Sequence, residues 1–226
     1  MNLSIIKETK NWIVVNKPAG MVVEGAKTGS PTVQSIIYEH LYQSQTKPYV
    51  GIVHRLDRVT TGVLLVAKKK SVLKLLNEQF QKRQIKKTYL ALSDQQPSKR
   101  SDFLTHHLAQ DRLTKKAIVH QQATPSTKEC KLIYDYLERS DMGYHLFKVQ
   151  LLTGRYHQIR AQLADIHCPI VGDEKYGSIE KYEDRKIALH AYQIQFSYPI
   201  NEVDQSEKIS ANLPNDEIWK TFKLPK

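Results

Sequence analysis

The sequence predicts an α+β protein built on a mixed, largely antiparallel β-sheet with flanking helices. Three observations carry this: strand-like runs outnumber helical ones, the helices are scattered among the strands, and hairpin-length spacing between strands is common.

The elements follow in order. Met1-Asn2-Leu3-Ser4-Ile5-Ile6-Lys7 leads straight into a strand-like segment, without the basic start, long apolar middle and small-residue cleavage site of a signal peptide. Trp12-Ile13-Val14-Val15-Asn16 reads as a buried strand, stopped by Lys17-Pro18-Ala19-Gly20, because proline lacks a ladder donor and glycine permits a tight turn. Ser30-Pro31 opens a helix with serine as cap, and Val33, Ile36, Ile37 and Leu41 fall on one face. Gly62 to Ala67 is a continuous apolar run, as a central strand requires. A second helix follows, capped by Ser71, with Val72, Leu75, Leu76 and Phe80 at helical spacing. Thr88 to Leu92 resumes as strand, with Tyr89 and Ala91 on one face.

From about Ser93 to Lys128 no period is sustained, and the segment reads as strands and loops. Alternation returns at His145 to Leu152, and Thr153-Gly154 punctuates it before a helix carrying Tyr156, Ile159, Leu163 and Ile166 on one side. His190 to Phe196 alternates as a strand, and Ile218-Trp219 is expected to dock on the body. With no repeat and no Gly/Ser linker, residues 1–226 read as a single domain.

The 226 residues are 40% hydrophobic and 25% charged, with nine Gly and nine Pro, which excludes a disordered or collagenous chain and permits a real core. The longest apolar runs fall far short of the roughly 18–20 residues that cross a bilayer, so no membrane span is expected. Two cysteines, Cys130 and Cys168, make neither a metal pattern nor a disulfide framework, so a reducing cytoplasm is the expected location. A formal charge of +11 points to a polyanionic partner. Lys68-Lys69-Lys70, Lys82-Arg83, Lys86-Lys87 and Lys115-Lys116 lie beside apolar runs, so the charge belongs to a folded surface and not to a tail.

Several chemistries have no motif. Gly25-Ala26-Lys27-Thr28-Gly29 is not a phosphate loop, and no dinucleotide fingerprint, serine elbow, zinc-protease motif or C-x-x-C is present. His106-His107 and His167-Cys168 read as surface or packing residues, because adjacent side chains on an extended segment diverge. The densest segment is Gly51 to Gly62, where Asp57 sits close to Arg55 and Arg58 just before a buried strand. Burial favours the protonated acid and nearby guanidinium groups favour the anion, so Asp57 is either a structural ion-pair member or a reacting carboxylate. Arg155, at a turn ahead of a helix, gains nothing from the helix dipole and asks for an anionic partner, a carboxylate such as Asp57 or an RNA phosphate.

Three blocks together, His54-Arg55-Leu56-Asp57-Arg58-x-Thr60-x-Gly62, Lys87-Thr88-Tyr89-Leu90-Ala91 and Thr153-Gly154-Arg155-x-His157-Gln158-Ile159-Arg160, resemble in order and spacing the signatures of the RluA-type RNA pseudouridine synthases. Val15 to Gly20 resembles the family's opening block, Pro169 to Asp173 with Tyr176-Gly177 follows the third, and Leu189-His190-Ala191 resembles its late strand. Thr61 stands where serine is common in relatives, keeping the hydroxyl.

The resemblance implies an isomerase that converts specific uridines of structured RNA to pseudouridine, ribosomal RNA favoured over transfer RNA. By the resemblance, Asp57 is the essential aspartate at the ribose. Tyr89 packs against the uracil and assists proton transfer. Arg155 pairs with the catalytic carboxylate, and Arg55 fills the space left by the flipped nucleotide. Ile159 lies near the base pocket, with core packing as the equal alternative. His54, Arg58, Thr60 and Arg160 join the substrate-binding set. No cofactor and no metal are implied, since the reaction has no redox step. The family's accessory N-terminal RNA-binding domain is expected to be absent, and the protein is expected to be a monomer. The contrasting readings are a catalytically silent RNA-binding or folding factor on the same fold and, more distantly, a base-releasing glycosidase.

Overall fold

The computed structural model describes residues 3–25, 29–200 and 203–222, with backbone alone at 199, 200, 203 and 204. Ala26, Lys27 and Thr28 of the glycine-flanked segment lie outside the described residues. In chain order the elements are β1 (Ser4–Glu8), β2 (Trp12–Lys17), α1 (Val33–Tyr42), β3 (Gly51–Ile52), β4 (Thr61–Ala67), α2 (Lys70–Gln81), β5 (Lys86–Ser93), β6 (Ser101–Asp111), β7 (Lys116–His120), β8 (Lys128–Arg139), β9 (His145–Leu151), α3 (Gln158–Asp165), a 3-10 turn (Glu174–Tyr176), β10 (Leu189–Ile200), β11 (Val203–Ser210) and α4 (Glu217–Lys220). Every strand pair with a described register is antiparallel. The residues form two compact units, 1–86 with 191–212, and 87–190 with 213–226.

In the first unit the strand order is β1-β2-β4-β10, with β11 on β10 and β3 on β4. All seven residues of β4 are buried, as the continuous apolar run requires. One face of β2 and β4 (Trp12, Val14, Val63, Leu65, Ala67) packs with Val72 and Leu76 of α2 and with Ile194 and Phe196 of β10. Each such side chain contributes about 1.5–3 kcal/mol when removed from water. Gly62 has φ +115°, and a Cβ there would strike the backbone of Ala191, so the glycine serves both the turn into β4 and close strand approach.

The helix starts differ from the sequence expectation. α1 begins at Val33, and its cap is Thr32 rather than Ser30: Ser35 N–H donates to Thr32 Oγ1 (3.0 Å) and Thr32 N–H donates to Ser35 Oγ (2.9 Å), a reciprocal capping box. α2 starts at Lys70 with no side-chain cap, and Ser71 lies inside its first turn. Lys68 N–H is taken by Asn11 O (2.8 Å), so the chain bends immediately after β4 and the helix starts before serine can cap it.

In the second unit the order is β5-β9-β8-β6-β7. The weakly patterned stretch becomes the long β6–β7 hairpin and its approaches. Its alternation is real: Leu104, His106 and Leu108 are buried while Phe103 and Thr105 are exposed. Apolar Phe103 at an exposed position and histidine at a buried one, His106, hide the period. Asp216 Oδ2 accepts from Tyr182 Oη (2.5 Å) and Lys186 Nζ (2.7 Å), and Ile218 and Trp219 are buried, so this end of the chain docks as expected. Among the described residues, no helix is long and apolar enough to cross a membrane.

Candidate active site

The first unit holds the loop between β3 and β4 that carries His54, Arg55, Asp57, Arg58 and Thr60. A turn closes where Thr60 N–H donates to Asp57 O (3.1 Å). The loop is clasped to the turn after β2: Gly20 N–H donates to Arg58 O (2.8 Å), and Arg58 Nε donates to Gly20 O (2.9 Å). Leu65 N–H donates to His54 Nε2 (3.1 Å), so neutral His54 carries its proton on Nδ1 and ties the loop to β4 beyond the end of β3. Thr60 is buried. Arg55 points out, its side chain 74% exposed and 3.8 Å from Glu24.

Beneath this loop lies Lys17, the last residue of β2, fully buried. Its Nζ donates to three backbone carbonyls, Pro18 O (2.8 Å), Met21 O (3.0 Å) and Arg58 O (3.2 Å), which use all three protons of an ammonium. Burial pulls the Lys17 pKa down to about 7, and the Asp57 carboxylate opposes that pull. The sequence expectation gave Lys17 no role beyond its block. No local pattern reveals it, because the acceptors come from residues 18, 21 and 58.

The second unit holds Tyr89, Arg155, Ile159 and Arg160. Tyr89 sits on β5 opposite Val149 of β9, nearly buried. Arg155 lies in the turn between β9 and α3 with an exposed side chain, whose Nε donates to Glu129 O (3.0 Å). Gln158, buried at the start of α3, builds that turn. Its Oε1 accepts from Thr153 Oγ1 (2.8 Å) and Arg155 N–H (3.0 Å), and its Nε2 donates to Lys131 O (3.1 Å) and Gln162 Oε1 (2.9 Å). With residues 153–157 held this way, the helix starts at Gln158, and Tyr156 and Ile166 fall outside it.

Ile159 is buried. Arg160 is buried too, and its Nε and Nη2 donate to the two carboxylate oxygens of Asp173 (2.6 and 2.8 Å), with the guanidinium 5.1 Å from the Tyr176 ring centre. His157 takes the left-handed conformation (φ 49°) and stacks on Tyr156 at 3.8 Å. Ala117 N–H donates to Tyr176 Oη (2.6 Å), which leaves the Tyr176 hydroxyl to donate to His157 Nδ1 (2.9 Å). Burial, and then the charge of Arg160, lower the His157 pKa to about 3. His106 contacts Gln162 through Nδ1 (3.1 Å), the packing role expected of it.

The structure thus gathers Lys17, His54, Asp57, Arg58 and Thr60 in one unit and Tyr89, Arg155, Ile159 and Arg160 in the other. Lys17, Gln158 and Asp173 are supporting residues that stand inside the quoted sequence blocks without an individual role assigned to them there.

A family profile described as RNA pseudouridylate synthase matches residues 11–165. The chain is 32% identical over 228 residues to ribosomal large subunit pseudouridine synthase C of Buchnera aphidicola subsp. Baizongia pistaciae, covering 97% of this chain and 69% of that relative. It is 31% identical over 230 residues to ribosomal large subunit pseudouridine synthase D of Neisseria meningitidis, covering 96% of this chain and 59% of that one. It is 27% identical over 237 residues to tRNA pseudouridine synthase C of Haemophilus ducreyi, at 97% and 94% coverage. Among solved structures, human RNA pseudouridylate synthase domain containing 4 matches with a TM-score of 0.75 at 25% identity, covering 94% of this chain and 89% of that one.

Proposed function

The chain belongs to the RNA pseudouridylate synthase family, and we propose that it isomerises uridine in structured RNA through Asp57, Tyr89 and Arg155, with ribosomal RNA as the favoured target and transfer RNA as the second. The names of the relatives support this ranking, two acting on the ribosomal large subunit and one on tRNA. The observation that carries the reading is the loop that presents Asp57, held from beneath by the buried Lys17 Nζ through the carbonyls of Pro18, Met21 and Arg58.

The reaction breaks the bond between N1 of uracil and C1′ of ribose, turns the detached base and joins C5 to C1′. The hydrogen on C5 leaves and N1 gains one, so no electrons are gained or lost and no cofactor is required. Asp57 acts at the ribose, either by attacking C1′ to give a covalent sugar adduct or by removing the C2′ proton to give a glycal. Tyr89 packs against the uracil and assists the proton transfer. Arg155 supplies the cationic partner of the reacting carboxylate. The target base leaves its stack at a cost of a few kcal/mol, lower in a loop or bulge, and exposed Arg55 fills the vacated space. Ile159 lines the base pocket. His54, Arg58 and Thr60 shape the Asp57 loop against the substrate, and Arg160 supports the turn that presents Arg155. The protein works as a monomeric catalytic domain in the cytoplasm.

The test is to incubate ribosomal and transfer RNA transcripts with the protein, digest them to nucleosides and separate the products. Pseudouridine in ribosomal RNA is the expected result. Binding without any pseudouridine would favour the silent RNA-binding factor, and free uracil would favour a glycosidase.

A further inference from the structure

From residue 69 to residue 86 the sequence carries six cations, Lys69, Lys70, Lys74, Lys82, Arg83 and Lys86, against one acid, Glu78. The apolar residues among them recur at helical spacing, so α2 turns Val72 and Leu76 inward and leaves the charges outside. All six cations and Glu78 are exposed. The helix that carries them is fixed on its sheet. Gln79 Nε2 donates to Ser197 O (2.7 Å) and Ser197 N–H donates to Gln79 Oε1 (3.1 Å), a reciprocal pair with β10. Phe80 packs on the ring of His54, with 5.3 Å between ring centres, which sets α2 against the loop that carries Asp57.

Other lysines of the protein are paired. Lys7 meets Glu207 (2.7 Å), Lys68 meets Glu8 (2.6 Å), Lys99 meets Asp102 (2.8 Å) and Lys220 meets Glu217 (3.2 Å). Between residues 69 and 86 no ion pair forms among the described residues, and Glu78 neutralises none of its neighbours. Lys70 and Lys74 stand one turn apart on the same face, where like charges oppose each other. An anion laid along that face reverses the sign. The charges are strung along the helix, about 18 Å from Lys70 to Lys82, so a polyanion matches them and a small ion does not.

We propose that the exposed face of α2, with Arg83 and Lys86 beyond its end, is a docking surface for the RNA backbone that flanks the target uridine, with Lys70, Lys74 and Lys82 set against phosphates. This rests on the reading of the chain as an enzyme of structured RNA and adds a surface outside the reacting residues. Contacts to phosphate hold and orient the RNA without reading its sequence.

The test is filter binding of labelled ribosomal and transfer RNA transcripts over a range of potassium chloride concentrations, with thermal unfolding of each protein. Two double variants remove charge, Lys70→Gln with Lys74→Gln and Lys82→Gln with Arg83→Gln. A third, Lys70→Arg with Lys74→Arg, keeps it, and Lys220→Gln removes a paired lysine as control. Each charge removed from the face is expected to lower the slope of log K against log salt by about 0.7–0.9, equally on all RNAs bound, in proteins that melt near wild type. The arginine variant and Lys220→Gln are expected to keep the slope. Wild-type slopes in both glutamine variants would overturn the proposal and leave the face to an acidic protein partner. An equal loss in Lys220→Gln would also overturn it, by showing that net charge alone matters. If the variant at 82 and 83 does not fold, the one at 70 and 74 decides. Pseudouridine formation by wild type is assayed on the same RNAs: lowered slopes without product from wild type would sink the isomerase reading and keep the docking surface. Product with unchanged slopes would do the reverse.

Discussion

The backbone N–H of Arg155 donates to the side-chain oxygen of Gln158 at 3.0 Å, so the residue that opens α3 also fixes the turn that presents the arginine. The same oxygen accepts from Thr153 Oγ1, and Gln158 Nε2 reaches back to Lys131 O on β8. One buried carboxamide thereby ties a strand, a turn and a helix start together.

Gln158→Leu keeps the size of the side chain and removes all four hydrogen bonds. Thr153 and Gln162 stay buried without this partner, so a loss of about 2–4 kcal/mol is expected in urea unfolding. Turnover is expected to fall more steeply than RNA affinity, because the arginine is displaced while the basic surface remains. Wild-type turnover in a folded Gln158→Leu would show that the turn tolerates loss of its anchor.

Arg160 and Arg55 both lie in the blocks that resemble the family signatures yet have opposite surroundings, and two substitutions separate them. Asp173→Ala strands the buried Arg160 guanidinium and is expected to cost about 3–5 kcal/mol. Arg55→Ala removes an exposed side chain and is expected to change stability by less than about 0.5 kcal/mol, while RNA turnover drops roughly tenfold through lost stacking. Calorimetry showing equal destabilisation would refute the assignment of Arg55 to the RNA.

Lys17 gives a pH signature. Its pKa in the folded protein is lowered to about 7, whereas the unfolded chain keeps the ordinary lysine value, so between those limits the unfolded state binds more protons. Stability from this group therefore rises as pH climbs above 7, and it is lowest below 7, where the charge is fully buried. The stability of wild type minus that of Lys17→Met is expected to rise from pH 7 to pH 10 in denaturant unfolding. A flat difference would mean that Asp57 and the three carbonyls hold the ammonium across the whole range.

His157 is expected to stay neutral with its proton on Nε2, since Tyr176 donates to Nδ1 and burial lowers the pKa to about 3. Nitrogen-15 spectra of the ring are expected to show no titration of this residue between pH 5 and pH 8. Tyr176→Phe leaves the Ala117 N–H without its acceptor and is expected to cost about 1–2 kcal/mol. A His157 midpoint near the ordinary histidine value would contradict this hydrogen-bond order.

The sequence makes legible those features that local chemistry determines. The apolar run at β4 is buried at every position, and Asp57 stands just before that strand, as expected. Helix starts are less legible: the Thr32–Ser35 box outcompetes Ser30-Pro31, and Ser71 is overtaken by the bend after Lys68. The β6–β7 hairpin is hidden because Phe103 faces water and His106 is buried, the reverse of what their polarity suggests. The buried role of Lys17 is not legible, because its carbonyl acceptors leave no trace in side-chain identity. Asp173 lies 13 residues beyond Arg160, with no periodic link to it.

The most direct measurement of the central claim is tritium release from ribosomal and transfer RNA labelled at uracil C5, comparing wild type with Asp57→Asn. C5 loses its hydrogen only when the new carbon–carbon bond forms. The account predicts release by wild type and none by a folded, RNA-binding Asp57→Asn. Undiminished release by Asp57→Asn would remove Asp57 from the mechanism and contradict the account.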